Sequence, residues 1–117
     1  MKKFLILLHE DVEQLHNLSP REMEELVKAH MDWAAKLGKE GHLISGDGLE
    51  EKGALITGKN SVIKDGPYLE AKEIIGGYYL IEAQDLSTAT EIAKECPCHH
   101  WGGTTEVRPI MDYNTNG

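Results

Sequence analysis

Phe4-Leu5-Ile6-Leu7-Leu8 is the stretch that decides the fold of this 117-residue chain. Its length favours a strand, although periodicity alone leaves a helix fragment open. Alternate side chains of a strand point to opposite faces of a sheet, so a run that is apolar throughout requires burial on both faces. The run ends at His9-Glu10-Asp11 without a small-residue cleavage site, which argues against a signal peptide.

A long helix is expected after the polar loop that follows this strand. Ser19-Pro20-Arg21-Glu22 supplies an N-cap serine, a proline at the first helical position and a glutamate that closes a capping box. One stripe at three- and four-residue spacing then runs to Gly38 or Gly41, and it contains Met23, Leu26, Val27, His30, Trp33, Ala34 and Leu37. His30 is the polar member of this stripe.

The remaining chain alternates strand and helix signals. The pattern predicts a strand at Leu43 to Leu49, a hairpin of Ala54 to Thr57 with Ser61 to Lys64, a turn at Asp65-Gly66-Pro67 and a strand at Gly77 to Ala83. A second helix, capped by Asp85 or Ser87, is expected to stop at Pro97 and to be followed by a strand at Thr104 to Ile110. The glycines near Gly46 and Gly48 suggest a bulge or a close backbone approach.

This order predicts one α+β domain over residues 1–117, with a ferredoxin-like β-α-β-β-α-β sheet and an inserted hairpin. Two helices cover only one face of such a sheet, whereas the apolar side chains of the first strand require burial on both faces. We therefore expect a homodimer, in which a second copy covers the bare face.

Composition excludes several classes of partner. A net charge of −8, with scattered basic residues, argues against nucleic acid, and no apolar run is long enough to span a membrane. Cys96 and Cys98 lie too close in sequence to join distant elements, so a reducing, cytoplasmic location is expected.

The chain is similar to a known family at a specific motif. Asp65-Gly66-Pro67-Tyr68-Leu69-Glu70-Ala71-Lys72-Glu73, followed by Gly76-Gly77-Tyr78-Tyr79, resembles the signature of the YCII-like family, in the branch named for an Asp-Gly-Pro-Phe (DGPF) motif. Tyr68 replaces the usual phenylalanine, and the resemblance extends to residues 46–49 and 106–110. It implies a ferredoxin-like dimeric α/β barrel with a small-molecule cleft, in a family whose members mostly lack an assigned reaction.

The resemblance also implies a His-Asp pair as the active site. Relatives carry the histidine about a dozen residues before a glycine that precedes the second strand, and His30 has this relation to Gly41. Asp47 is the expected catalytic partner, with Asp32 and Asp65 as alternatives. Independently of the family, an imidazole with a pKa near neutrality is suited to general acid or base catalysis when a carboxylate orients it. The alternative is a core histidine with a satisfied hydrogen bond.

The expected substrate-binding residues are Asp65, Tyr68, Glu73 and Tyr78. The alternative for residues 65–68 is a tight turn, because aspartate, glycine and proline all favour turns. Cys96-Pro97-Cys98-His99-His100 contains metal-ligand types, but its spacing is wrong for one ion, and a surface loop is expected instead. No metal site is predicted. Without a nucleotide fingerprint or nucleophile elbow, no cofactor is expected either.

The sequence therefore predicts a cofactor-independent enzyme that performs His-assisted proton transfer, of the isomerase or lyase type, on a small organic acid in a cleft of the dimer. The alternative is a module that binds a small molecule, or regulates a partner, without chemistry. The substrate is not readable from the sequence.

Overall fold

The computed structural model describes residues 1–65 and 73–113 of the chain. Within these ranges the strands are β1 (Lys2–Asp11), β2 (Leu43–Gly48), β3 (Ala54–Thr57), β4 (Val62–Asp65), β5 (Glu73–Ala83) and β6 (Thr104–Pro109). The helices are α1 (Val12–His16), α2 (Pro20–Lys39), α3 (Leu86–Ala93) and a 3₁₀ helix (Pro97–Trp101). None of the helices in these ranges is long and apolar enough to span a membrane.

Four strands form one antiparallel sheet in the order β2-β5-β1-β6. This order, with β1 and β5 at the centre, is compatible with the expected ferredoxin-like fold. β3 and β4 pair only with each other among the described strands and form a separate two-stranded sheet, which is the predicted inserted hairpin. The α+β class is therefore confirmed.

The core lies on one face of the four-stranded sheet, under the helices. Side chains buried to 3% exposure or less alternate along β1 at Phe4, Ile6 and Leu8, and Leu5 and Leu7 between them are only partly covered. β5 shows the same alternation, with Ile81 and Ala83 fully buried and their neighbours on the other face partly exposed. The described helices thus cover one face and leave the other partly exposed, as the sequence predicts.

The start of α2 follows the predicted capping box. The Ser19 hydroxyl accepts from the Glu22 backbone N–H at 3.1 Å, and the Glu22 carboxylate accepts from the Ser19 backbone N–H at 3.1 Å. These reciprocal bonds satisfy two of the donors that a helix start leaves free. The helix ends at Lys39, and Gly41 takes a positive φ of 81° that favours glycine.

The first strand is longer than predicted, and the expected polar loop after it contains a helix. β1 continues to Asp11 because Glu73 begins β5 early enough to pair with Asp11 across the sheet. Asp11 then caps α1, since its carboxylate accepts from the Gln14 N–H at 2.9 Å. The expected start of the fifth strand at Gly77 is corrected to Glu73 for the same reason.

The second long helix is shorter than predicted. Asp85, rather than Ser87, is the N-cap, and its carboxylate accepts from the Thr88 N–H at 2.8 Å. α3 ends at Ala93, so Cys96 lies outside it in an extended conformation, with ψ of 128°. A residue before proline is disfavoured in the helical region, and Pro97 therefore ends the helix earlier than its own position.

The expected surface loop at 96–100 is wrong for Cys98. Cys96 and Cys98 are each 2% exposed and belong to the core, whereas His99 and His100 are exposed. Cys96 faces the core from the extended residue before the 3₁₀ helix, and Cys98 faces it from within that helix.

Candidate functional site

A cavity of about 500 Å³ lies between α2 and the end of the sheet formed by β2 and β5. α2 contributes Leu26, Val27 and His30 to its wall, and β1 contributes Leu8 and Glu10. The lining is mainly apolar with a few polar groups, which is the usual composition of a small-molecule site. Its volume is in the range of such sites.

Glycines form the floor of this cavity. Gly46 and Gly48 of β2 and Gly76 and Gly77 of β5 all line it, so the sheet presents backbone where side chains would fill the space. A Cβ at Gly46 would lie 2.8 Å from the Tyr79 ring, which confirms the predicted close approach. Gly76 has no partner in β1, because the register shifts between Leu8 and His9, and this bulge widens the floor.

His30 is fixed by the hydroxyl of Tyr79. The Nδ1 atom of His30 and the hydroxyl oxygen of Tyr79 are 2.7 Å apart, and the two rings are stacked with centroids 6.0 Å apart. Tyr79 is 7% exposed, and Trp33 packs edge-on against its ring at 4.8 Å. Partial burial lowers the pKa of His30, so the imidazole is neutral at neutral pH.

The proton arrangement of this pair follows from its surroundings. Burial, with smaller contributions from nearby thiols and Glu10, raises the pKa of Tyr79, which keeps the phenol protonated. We assign the hydroxyl as the donor to Nδ1 of His30, because it has no other acceptor among the described residues. With this assignment the neutral imidazole carries its proton on Nε2, the nitrogen that has no described protein partner.

Glu10 is a cavity residue that the sequence reasoning missed. Its carboxylate lies over Gly76, where a Cβ would collide with it. Burial raises the pKa of Glu10, and no described residue forms a hydrogen bond or ion pair with it. The signal was present in the sequence, because the alternation of Phe4, Ile6 and Leu8 continues to Glu10 on the same face.

Asp47 lines the edge of the cavity, but its side chain lies on the other face of the sheet from His30. In the β2–β5 ladder Gly46 pairs with Tyr79 and Asp47 pairs with Tyr78, so Asp47 and Tyr78 share the face away from α2. The Tyr78 hydroxyl donates to the Asp47 carboxylate at 3.4 Å, a long contact. No hydrogen bond joins His30 to Asp47 in the described structure.

The other expected site residues are placed as follows. Asp32 accepts from Lys28 at 2.8 Å on the exposed side of α2, and not from His30. The Asp65 backbone ends β4 opposite Ala54, so it belongs to a strand rather than the predicted turn, and its side chain is outside the described structure. Tyr68 lies outside the described residues. Glu73 is exposed at the start of β5 and is not among the cavity-lining residues.

The cavity thus combines the half-buried carboxylate of Glu10 with the neutral imidazole of His30, whose Nε2–H has no described protein partner. Burial moves the pKa of Glu10 up and that of His30 down. A base with a raised pKa and a neutral hydrogen-bond donor are the two groups needed to remove a proton next to a carbonyl group.

Comparison with known proteins gives a family match but no information about a reaction. The sequence profile of the YCII-related domain matches residues 3–114. An uncharacterized protein from Rhizobium meliloti (strain 1021) is similar to this chain, with 35% identity over 54 residues. That match covers 45% of this chain and 44% of the relative, so less than half of the relative is spanned.

Proposed function

The chain belongs to the YCII-related domain family, and from the cavity of this family member we propose an enzymatic function. It is an enzyme without a cofactor that transfers a proton on a small organic acid, in a reaction of the isomerase or lyase type. One observation carries the proposal: Glu10 and His30, whose pKa values are shifted in opposite directions by burial, line the same cavity. Oppositely shifted groups in one cleft are characteristic of acid-base sites.

In this mechanism Glu10 is the base. Its carboxylate removes a proton from the carbon next to a carbonyl group of the substrate, and its raised pKa makes it a stronger base than an exposed carboxylate. The Nε2–H of His30 donates to the carbonyl oxygen, on which negative charge develops. Return of the proton to a different atom gives isomerisation, and departure of a neighbouring group gives elimination.

A second version of the proposal keeps the family-implied carboxylate, Asp47, as the partner of His30. This version requires the Asp47 carboxylate, which contacts Tyr78 at the cavity edge, to turn towards His30. Asp65, Tyr68, Glu73 and Tyr78 remain proposed substrate contacts in both versions. The two versions differ in the carboxylate whose removal abolishes activity.

The test is exchange of carbon-bound hydrogen in D₂O. The protein is incubated with a panel of small organic acids that carry a hydrogen next to a carbonyl group, and loss of that proton's NMR signal is followed. We expect exchange with at least one acid, and a rate lower by about 10²-fold or more in Glu10→Gln and in His30→Gln. In the second version Asp47→Asn, rather than Glu10→Gln, shows this loss.

His16→Gln is the matched control, because His16 is exposed and bonds to Glu51 at 2.7 Å, outside the cavity lining. It should exchange at the wild-type rate. Absence of exchange above the buffer rate for every acid in the panel contradicts proton transfer.

The alternative function is binding without chemistry. It is favoured by the apolar side chains at the cavity mouth, where Met23, Val27 and Met31 are 40%, 50% and 67% exposed. Methionine adapts its shape to different ligands. Saturable binding of an acid from the same panel, with no exchange, supports this alternative.

We further propose that the chain works as a homodimer with a barrel formed by two sheets, and that it resides in the cytoplasm without a nucleic-acid or membrane partner. The partly exposed face of the sheet supports the dimer. The two free cysteines suit a reducing compartment.

A further inference from the structure

Cys96 and Cys98 form a buried thiol pair that the proposed proton transfer does not use. They are the two cysteines of the chain, and both are free. Their Sγ atoms lie 3.5 Å apart across a hydrogen bond. A disulfide has an S–S length of about 2.05 Å, so the sulfurs need to approach by only about 1.5 Å to bond.

We propose that this pair is a redox site, at which hydrogen peroxide oxidises Cys96 and Cys98 to an intramolecular disulfide. The Cys96 thiolate attacks one peroxide oxygen, the O–O bond breaks, and the departing hydroxide takes a proton to leave as water. The Cys98 sulfur then attacks the resulting sulfenic acid at sulfur, the S–S bond forms, and the hydroxyl leaves with the Cys98 proton as a second water. Two thiols are oxidised and one peroxide is reduced to two waters.

The hydrogen bond between the thiols supports this division of roles. When Cys96 ionises, the Cys98 S–H donates to the thiolate, and this bond lowers the pKa of Cys96. The same bond and burial raise the pKa of Cys98, so it keeps its proton. Because the thiolate is the nucleophile, these shifts favour Cys96 as the sulfur that attacks peroxide and Cys98 as the one that resolves the sulfenic acid. The adjoining cavity is lined by Cys98 and not by Cys96, so the serine variants decide between the two orders of attack.

A second cavity adjoins Cys98. Its volume is about 10 Å³, and Glu10, Leu15 and Trp101 also line it. This is about the smallest space that holds one water molecule. Hydrogen peroxide is larger than water and has to widen this cavity, and an aromatic disulfide reagent has to widen it much further. The pair should therefore react faster with a small oxidant than with a bulky one.

The surroundings favour a redox role over a metal site. In the described parts of the chain, no group of three or more His, Cys, Asp or Glu side chains is arranged to hold a metal ion. Two thiols alone fall short of the four ligands that zinc takes in structural sites.

The experiment treats the reduced full chain with hydrogen peroxide and follows intact mass and thiol content after denaturation. Both thiols should disappear together while the mass falls by about 2 Da, and dithiothreitol should restore both. In the absence of peroxide, an aromatic disulfide reagent should modify the folded protein at least roughly tenfold more slowly than the unfolded chain, because the pair is buried.

Single serine variants test the roles of the two sulfurs. Cys98→Ser retains the nucleophile, so its mass should rise by about 16 or 32 Da as sulfenic or sulfinic acid forms. Cys96→Ser retains the thiol of raised pKa and should react more slowly than Cys98→Ser. Equal rates contradict the role of Cys96. Survival of both wild-type thiols under peroxide that oxidises glutathione, or a disulfide between two chains, overturns the proposal.

Discussion

The hydroxyl of Tyr79, a core residue, makes the hydrogen bond that holds His30 in the candidate site. It lies 2.7 Å from Nδ1 of His30 and has no second described partner. Replacing His30 with leucine leaves this buried hydroxyl unsatisfied, so we expect the free energy of unfolding to fall by about 1–3 kcal/mol. The double variant His30→Leu/Tyr79→Phe removes both partners and should recover part of the loss. Denaturant titration of the three variants measures this coupling.

His16→Leu is the control for this comparison, since His16 is exposed and should change stability by no more than about 0.5 kcal/mol. A His30→Leu variant as stable as wild type would mean that Tyr79 does not depend on the imidazole. The Tyr79–His30 pair would then be incidental to the site.

The second residue-scale prediction concerns pH, and it follows from Glu10. Burial raises the pKa of Glu10 in the folded chain, so the ionised form is disfavoured there. This cost is absent below the ordinary carboxyl pKa of about 4.3, grows as the pH rises above that value, and is complete once the pH exceeds the raised folded-state pKa. Glu10→Gln should therefore gain stability relative to wild type as the pH rises above about 4.3. Denaturant titrations across this range should show no such trend for Glu24→Gln, on the exposed part of α2.

For single residues, the sequence predicts which residue belongs to the site better than it predicts which residues that residue contacts. His30 is found from its place in the apolar stripe of α2, because helical period identifies the face. Its partner Tyr79 is not found, since the pairing depends on how α2 lies across β5. Asp47 pairs with Tyr78, next to the Gly46–Tyr79 pair, and this single step along the strand puts it on the other face of the sheet, which the sequence alone does not determine.

Elements are predictable where a local signal fixes their ends. The Ser19 capping box and the Asp85 cap are local hydrogen bonds, so sequence motifs are sufficient to locate them. The length of β1 is different, because its last residues are strand only through pairing with β5. The end of α3 is harder to locate from the sequence, because Pro97 disfavours the helical conformation of the residue before it.

The bulge in β5 supports an element-scale prediction. Gly76 faces the Glu10 carboxylate, which is the flexible end of its side chain, so Gly76→Ala should displace the carboxylate rather than the backbone. We expect stability to change by no more than about 1 kcal/mol, while the pKa of Glu10 returns towards its ordinary value. Carboxyl carbon chemical shifts, followed by NMR through a pH titration, report this pKa.

Gly38→Ala is the matched control, because a Cβ at Gly38 in α2 meets no atom within 4 Å. It should raise stability by about 0.5–1 kcal/mol through helix propensity and leave the pKa of Glu10 unchanged. An unchanged Glu10 pKa in Gly76→Ala would show that the bulge does not set the burial of this carboxylate.

For the whole molecule, the alternation of strands and helices was sufficient to predict the α+β class and the inserted hairpin. The placement of the hairpin outside the main sheet was not predictable, because its apolar residues read like those of a buried strand. Ile56 and Ile63, paired across it, are each 62% exposed in the single chain. The apolar sequence pattern indicates which side chains are suited to burial, but not which element or partner chain covers them.

The partly exposed face of the four-stranded sheet gives the last prediction. Leu5 lies at its centre, paired with Leu80 of β5 on one side and Arg108 of β6 on the other. In an isologous dimer this position meets the partner's sheet, so Leu5→Glu would bury carboxylates at the interface. Within one chain the new carboxylate faces Arg108, and the fold should therefore tolerate it.

We expect light scattering at micromolar concentration to give twice the chain mass of 13.0 kDa for wild type and the single-chain mass for Leu5→Glu. Circular dichroism should be the same for both. Leu86→Glu is the control, because Leu86 is 47% exposed on α3, on the helix-covered side, and a carboxylate suits the first turn of a helix. A wild-type monomer, or a Leu5→Glu variant that remains a folded dimer, means that this face is not the interface. The exposed hairpin would then be the next surface to test, with Ile63→Glu as the corresponding variant.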